Sequence, residues 1–157
     1  MKPQDPTDPH AWLLRAKGNL NLAEKAGRLK GVLLEDLCFN AQQAAEKALK
    51  AVCLARGMDI PKTHSLIHLM DILESNGIEV PKSVRDADIL TQYAVQSRYP
   101  SIMEEITRAE YREALKLAAN VSRSRNNGEK PEIKDAKRAY ARFASLISGN
   151  LSTFVKY

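Results

Sequence analysis

Apolar residues return every three or four positions along most of this chain, and the returns stop at prolines and glycines. That period belongs to helices with one buried face. Trp12, Leu13, Ala16, Leu20, Ala23 and Ala26 predict a first helix over 10–28, opened by Asp8 as cap with Pro9 in the first turn. After a hinge at Lys30 and Gly31, the residues Leu34, Leu37, Ala41, Ala44, Ala45, Ala48, Val52 and Ala55 predict a second helix over 33–56, closed by Gly57. Leu66, Ile67, Leu69, Met70, Ile72 and Leu73 predict a third over 64–76, with Thr63 as its cap. Pro81 opens a fourth over 82–96, with Val84, Ala87, Leu90, Ala94 and Val95 facing inward. Tyr111, Ala114, Leu115, Ala118 and Val121 mark a fifth over 107–125, where Thr107 and Glu110 have the spacing of a capping box. No convincing strand is seen. The fold class is therefore all-α: an up-and-down antiparallel helical bundle of four main helices plus a further short helix, over 8–125.

The second predicted helix carries the most information. Its stretch CFNAQQAAEKALKAVCLARG, residues 38–57, keeps one face almost entirely alanine. Small side chains let a neighbouring helix approach toward the roughly 8 Å end of the usual range. Beside that face stand Gln42, Gln43, Glu46, Lys47 and Lys50. Gln43, Lys47 and Lys50 share a side of the helix, and Glu46 and Lys50 are an i,i+4 pair in the favourable orientation. Spacing alone makes this a solvated face. Two adjacent glutamines next to an alanine run also suit a dimer seam or a polar pocket between helices.

Composition narrows the classes further. The chain has 24 Lys and Arg against 19 Asp and Glu, a net charge of +5. Such an excess permits a nucleotide or nucleic-acid ligand without requiring one. Of that excess, +3 belongs to residues 126–157, a basic tail that begins within the breaker RNNGEKP and has weak helical periodicity beyond it. Its role stays open. Cys38 and Cys53 fall on one helix, roughly 22 Å apart along its axis, and cannot bridge each other. They read as small core or interface residues of a reducing compartment. The N-terminus lacks the apolar segment of a signal peptide, and no 18-residue apolar run occurs. A cytoplasmic protein without a membrane span is expected.

Two more groupings carry chemistry. In PKTHSLIHL, Lys62, Thr63 and His64 stand at a helix start, where free N–H groups attract anions such as phosphate. His68 lies one turn on, yet two histidines without a nearby carboxylate or thiolate make a poor metal set. In SRYP, Arg98 and Tyr99 stand at a helix break, placed to meet a phosphate and a base or to lock the loop. There is no Gly-rich phosphate loop, no HExxH, no GxSxG and no zinc-ligand cluster, so no cofactor or metal is called for.

The order AQQAAEKALKA, then THSL, then RYP, then YREALKLAANV resembles the HEPN domain, the nucleotide-binding domain of higher eukaryotes and prokaryotes. The likeness covers about residues 8–125 and excludes the tail. It implies a helical bundle that forms a homodimer and partners a small nucleotidyltransferase, often in toxin–antitoxin-like pairs. Many such domains are metal-independent ribonucleases that use an arginine followed, after four to six residues, by a histidine. Here Arg98 stands at the arginine position, but His10, His64 and His68 are all upstream. The resemblance thus implies nucleotide binding without the usual ribonuclease motif. Arg98 and Tyr99 would form the core of that site, with Lys47, Gln43, His64 and Lys50 beside them. Two alternatives stay open: an active endoribonuclease with a variant acid–base group (Lys47, His64 or Tyr99), and a purely structural helical dimerisation module.

Overall fold

The computed structural model describes residues 5–96 and 105–122. Arg98, Tyr99 and the tail lie outside the described residues. Six α-helices and one 3-10 segment make up the described part, and no strand occurs among these residues.

α1 (Pro9–Ala26) starts where the Asp8 carboxylate accepts from the His10 amide at 2.9 Å, with Pro9 just inside. α2 (Leu34–Ala55) is the central helix, about 33 Å long. It packs on α1, on α3 (Leu66–Ser75), on α5 (Thr91–Gln96) and on α6 (Arg108–Ser122). The alanine face accounts for the intimacy of this packing: Ala41, Ala44, Ala45 and Ala48 are fully buried. α1 and α2 run antiparallel. Trp12 near the start of α1 meets Lys50 near the end of α2, and Asn19 meets Asn40 at 2.7 Å.

Gly57 ends α2 with φ 71°, a left-handed conformation that costs glycine nothing. The Met58 amide then donates to the Cys53 carbonyl at 2.9 Å, and the Gly57 amide to that of Leu54 at 2.9 Å. α6 begins with the predicted capping box. The Glu110 amide donates to Thr107 Oγ1 at 3.2 Å, and the Thr107 amide donates back to the Glu110 carboxylate at 2.7 Å. Gly27 serves a different purpose. A Cβ there would fall 2.2 Å from the Tyr111 hydroxyl, which donates to the Ala23 carbonyl at 2.6 Å. Glycine is what lets α6 seat its tyrosine against the end of α1.

The structure corrects the sequence in two places. The single helix expected over 82–96 is three pieces: α4 (Lys82–Arg85), a 3-10 turn (Asp86–Leu90) and α5. The cause is the spacing of the apolar residues. Val84, Ala87, Leu90 and Tyr93 are all buried and recur strictly every third position. A winding of three residues per turn keeps such a row on one face, whereas 3.6 would rotate it away. Val95, expected inside, falls off that row and is 66% exposed. At α3 the cap is Ser65, which accepts from the His68 amide at 3.3 Å, so the helix starts at Leu66 and His64 precedes it. Thr63 caps only the turn before, accepting from the Ser65 amide at 3.1 Å.

Cys38 and Cys53 are free, fully buried thiols. Burial pushes Cys38 up to about 12 and Cys53 up to about 11, which makes both inert at neutral pH.

Candidate functional site

Three polar residues in the middle of α2 are not solvated. Gln42, Glu46 and Lys50 are buried to the same degree as the apolar core, with exposures of 0%, 3% and 6%. The expectation of a solvated face fails because α2 is surrounded, so its polar side must find partners inside the molecule. It does. Lys50 Nζ donates to Glu46 Oε1 at 2.8 Å. Gln42 Nε2 and Gln43 Nε2 reach Glu46 Oε2 at 3.0 and 3.3 Å. His64 Nδ1 lies 3.2 Å from the same oxygen. Gln42 Nε2 also reaches the His64 carbonyl at 3.2 Å, and Gln43 donates to Gln42 Oε1 at 2.9 Å. One carboxylate thus ties the middle of α2 to the loop that enters α3.

The charge on Glu46 is stable there. Burial pushes its pKa upward, but the hydrogen bonds from Lys50 and Gln42, the Lys50 charge and the contact with His64 outweigh that, and the carboxyl is held below its ordinary value.

Lys47 points the other way, toward α1. Its Nζ donates to Asn19 Oδ1 at 2.6 Å, and Asn19 Nδ2 in turn donates to Asn40. Burial, above all, lowers the Lys47 pKa; Glu46 opposes this, and the charges of Arg15 and Lys50 add to the lowering. Lys47 and Arg15 line a cavity of about 230 Å³ with Asp5, Pro6, Ala11 and Trp12. The Trp12 indole N–H donates to the Pro6 carbonyl at 2.8 Å, which fixes the ring, and Lys50 Nζ sits 5.7 Å from the ring centroid. Lys50 therefore joins the two halves: it binds Glu46 on one side and the aromatic wall of the cavity on the other.

Of the six residues expected at a ligand site, four are described and three of these come together. Gln43, Lys50 and His64 converge on Glu46, and Lys47, one position along α2, opens onto the Trp12 cavity. Arg98 and Tyr99 lie outside the described residues. His64 is the most open of the four, its side chain 57% exposed against 4% for Glu46. Lys50 enters as a buried structural cation rather than as an open ligand contact. Sequence reasoning missed Trp12 and Arg15, because a tryptophan at helical spacing reads as core; it is only half-buried. Among the described residues no group of three His, Cys, Asp or Glu is placed to hold a metal ion, and no helix is long and apolar enough to cross a membrane.

An aromatic wall with two cations at its edge can take a flat ring and the phosphate attached to it. A second groove among the described residues, about 460 Å³ between α4, the 3-10 turn and α6, has no aromatic residue and mixes Asp86 and Glu113 with Lys116.

The chain matches the HEPN domain family over residues 9–127. It is similar to the crystal structure of TT1696 from Thermus thermophilus, with 34% sequence identity and a TM-score of 0.65 over 74% of this chain and 94% of that one. It is also similar to the crystal structure of ST0689, described as an archaeal HEPN homologue, with 26% identity and a TM-score of 0.57 over 78% of this chain and 93% of that one. Comparison with curated proteins returned no match.

Proposed function

From the premise that this chain belongs to the HEPN domain family, we propose that it is a nucleotide-binding helical domain whose ligand lies in the cavity between α1 and α2. The observation that carries this reading is the cavity wall itself: Trp12 held by the Pro6 carbonyl, with Arg15 and Lys47 at its rim. A base or ribose packs on the indole, and the phosphates meet the two cations. Gln43, one helical turn before Lys47, and His64 lie around Glu46. Arg98 and Tyr99, which lie outside the described residues, belong to this reading as the phosphate and base contacts expected from the sequence, and the domain acts as a homodimer beside a nucleotidyltransferase partner in a toxin–antitoxin-like pair. The domain binds without cleaving RNA, since no histidine follows Arg98 at the family spacing.

A thermal-shift titration with ATP and GTP tests the reading. A ligand at a hundredfold excess over its dissociation constant stabilises the fold by about 2.7 kcal/mol. The shift is expected in wild type and lost in Lys47→Ala and in Arg98→Ala. Saturable binding that survives Lys47→Ala would remove the cavity from the site. No shift with either nucleotide would leave a protein-interaction module.

A further inference from the structure

The lining of the α1–α2 cavity is not uniformly cationic. Beside Trp12, Arg15 and Lys47 stands one carboxylate, Asp5, in the turn ahead of α1. A site for phosphate alone has no use for a carboxylate, which repels it. Asp5 is nevertheless held in place. Its Oδ1 accepts from the Thr7 amide at 2.8 Å and from the Thr7 hydroxyl at 2.7 Å. Its carbonyl accepts from the Asp8 amide at 3.1 Å, and the next carbonyl, that of Pro6, accepts from the Trp12 indole at 2.8 Å. Turn and ring are thus one unit. The Thr7 hydroxyl and amide hold the Asp5 carboxyl below its ordinary value, so it is charged at neutral pH. Both of these bonds go to Oδ1, and among the described residues none goes to Oδ2.

The polar groups of the cavity are ordered along α1. Asp5 precedes the helix, Trp12 stands in its first turn, and Arg15 follows one turn on. Lys47 Nζ is pinned at 2.6 Å to Asn19, which lies about 10 Å of helix beyond Trp12. A nucleotide has the same order: the edge of the base, the base, the ribose, the phosphates. With the base on the indole and the phosphates at Arg15 and Lys47, Asp5 is left to meet the edge of the base.

Resting on the nucleotide reading of this cavity, we infer that it selects a guanine nucleotide, with Asp5 as the specificity-determining contact to N1–H and the 2-amino group of a base stacked on Trp12. An ionised carboxylate only accepts hydrogen bonds. Guanine alone of the RNA bases places two N–H donors side by side on its pairing edge. Adenine and cytosine set their amino group beside a ring nitrogen that accepts, and uracil flanks its one N–H with carbonyls. Those acceptors face the carboxylate and are repelled by it. ATP therefore uses the same wall and the same cations but binds more weakly.

The test measures the affinity of the full chain for GTP, ATP and inosine triphosphate, in wild type and in Asp5→Asn. Wild type is expected to bind GTP about tenfold or more tighter than ATP, because a site built to receive two N–H groups rejects a base that lacks them. Inosine triphosphate keeps N1–H and lacks the 2-amino group, so its affinity should fall between the two; an affinity equal to that of either would overturn the paired contact. Asparagine at position 5 keeps an oxygen for Thr7, and with it the turn, but presents an amino group in place of the second acceptor. The ratio of GTP to ATP affinity is expected to fall to about one in that variant. Equal affinity of wild type for GTP and ATP, or a GTP preference that survives Asp5→Asn, would overturn the inference and leave the nucleotide reading intact. Wild type that binds none of the three nucleotides would sink both. The wild-type comparison needs no variant, so the selectivity is tested even where Asp5→Asn loosens the turn.

Discussion

Two ion-pair clusters on this molecule use the same chemistry in opposite surroundings. At the surface, Arg85 of α4 donates Nε to Glu74 at 3.1 Å and Nη2 to Asp71 at 3.2 Å, with a second, close contact from Nη2 to Glu74. Those carboxylates are 39% and 57% exposed. Inside, Lys50 and Glu46 meet at 2.8 Å with side-chain exposures of only 8% and 4%. Distances do not separate the two clusters; solvent does. In water each Arg85 partner exchanges one hydrated contact for another and gains little. Inside, every group that loses its partner is left charged and dry, so the cluster behaves as one unit.

The largest test of that contrast removes one member of the buried cluster. Lys50→Met leaves Glu46 buried with three neutral or titratable donors and no cation, at a cost of about 3–5 kcal/mol in denaturant unfolding. Adding Glu46→Leu to Lys50→Met removes the stranded charge and is expected to restore much of the loss. A double variant as unstable as the sum of the singles would mean that Glu46 and Lys50 act independently.

Acid provides the same test without mutation. The Glu46 carboxyl is held below its ordinary 4.5, so its contribution is complete above that pH and is lost as pH falls through the lower folded value. A stability curve that declines below about 4.5 in wild type, and declines less in Glu46→Gln, is expected.

Gly27→Ala gives a contrast with no charge in it. The added Cβ displaces the Tyr111 hydroxyl, and overpacking of this kind costs about 1–3 kcal/mol. The loss should be the same at low and high salt and across pH, unlike that of Lys50→Met. The smallest effect belongs to Arg85→Ala, where the unfolding midpoint is expected to stay within measurement error of wild type at moderate salt. A loss comparable to that of Lys50→Met would erase the distinction between the two clusters.

The same contrast explains what the sequence could and could not tell. α1, α2, α3 and α6 were legible to within a residue or two at the ends described, because caps, glycine stops and apolar period are local. The 3-10 turn was legible too, for a reader who weighed the strict three-residue spacing of Val84, Ala87, Leu90 and Tyr93. Burial of the polar side of α2 was not. Glu46 and Lys50 have the i,i+4 spacing of Lys82 and Asp86, whose side chains are 89% and 51% exposed. Nothing in the spacing distinguishes a pair in solvent from a pair enclosed by the loop before α3. That depends on how many elements surround a helix, which is a tertiary property. Trp12 was hidden for the same reason: a stripe residue is core only if something covers it, and here one part of the ring lines a cavity.

Trp12 also offers the most direct measurement, since it is the single tryptophan of the chain. Its fluorescence should change saturably as ATP is added to the wild-type protein, and Lys47→Ala should weaken the titration about tenfold or more through loss of a charge-assisted phosphate contact. Emission that stays unchanged at saturating ATP, in a protein that another method shows to be ATP-bound, would place the nucleotide elsewhere and contradict the assignment of the α1–α2 cavity.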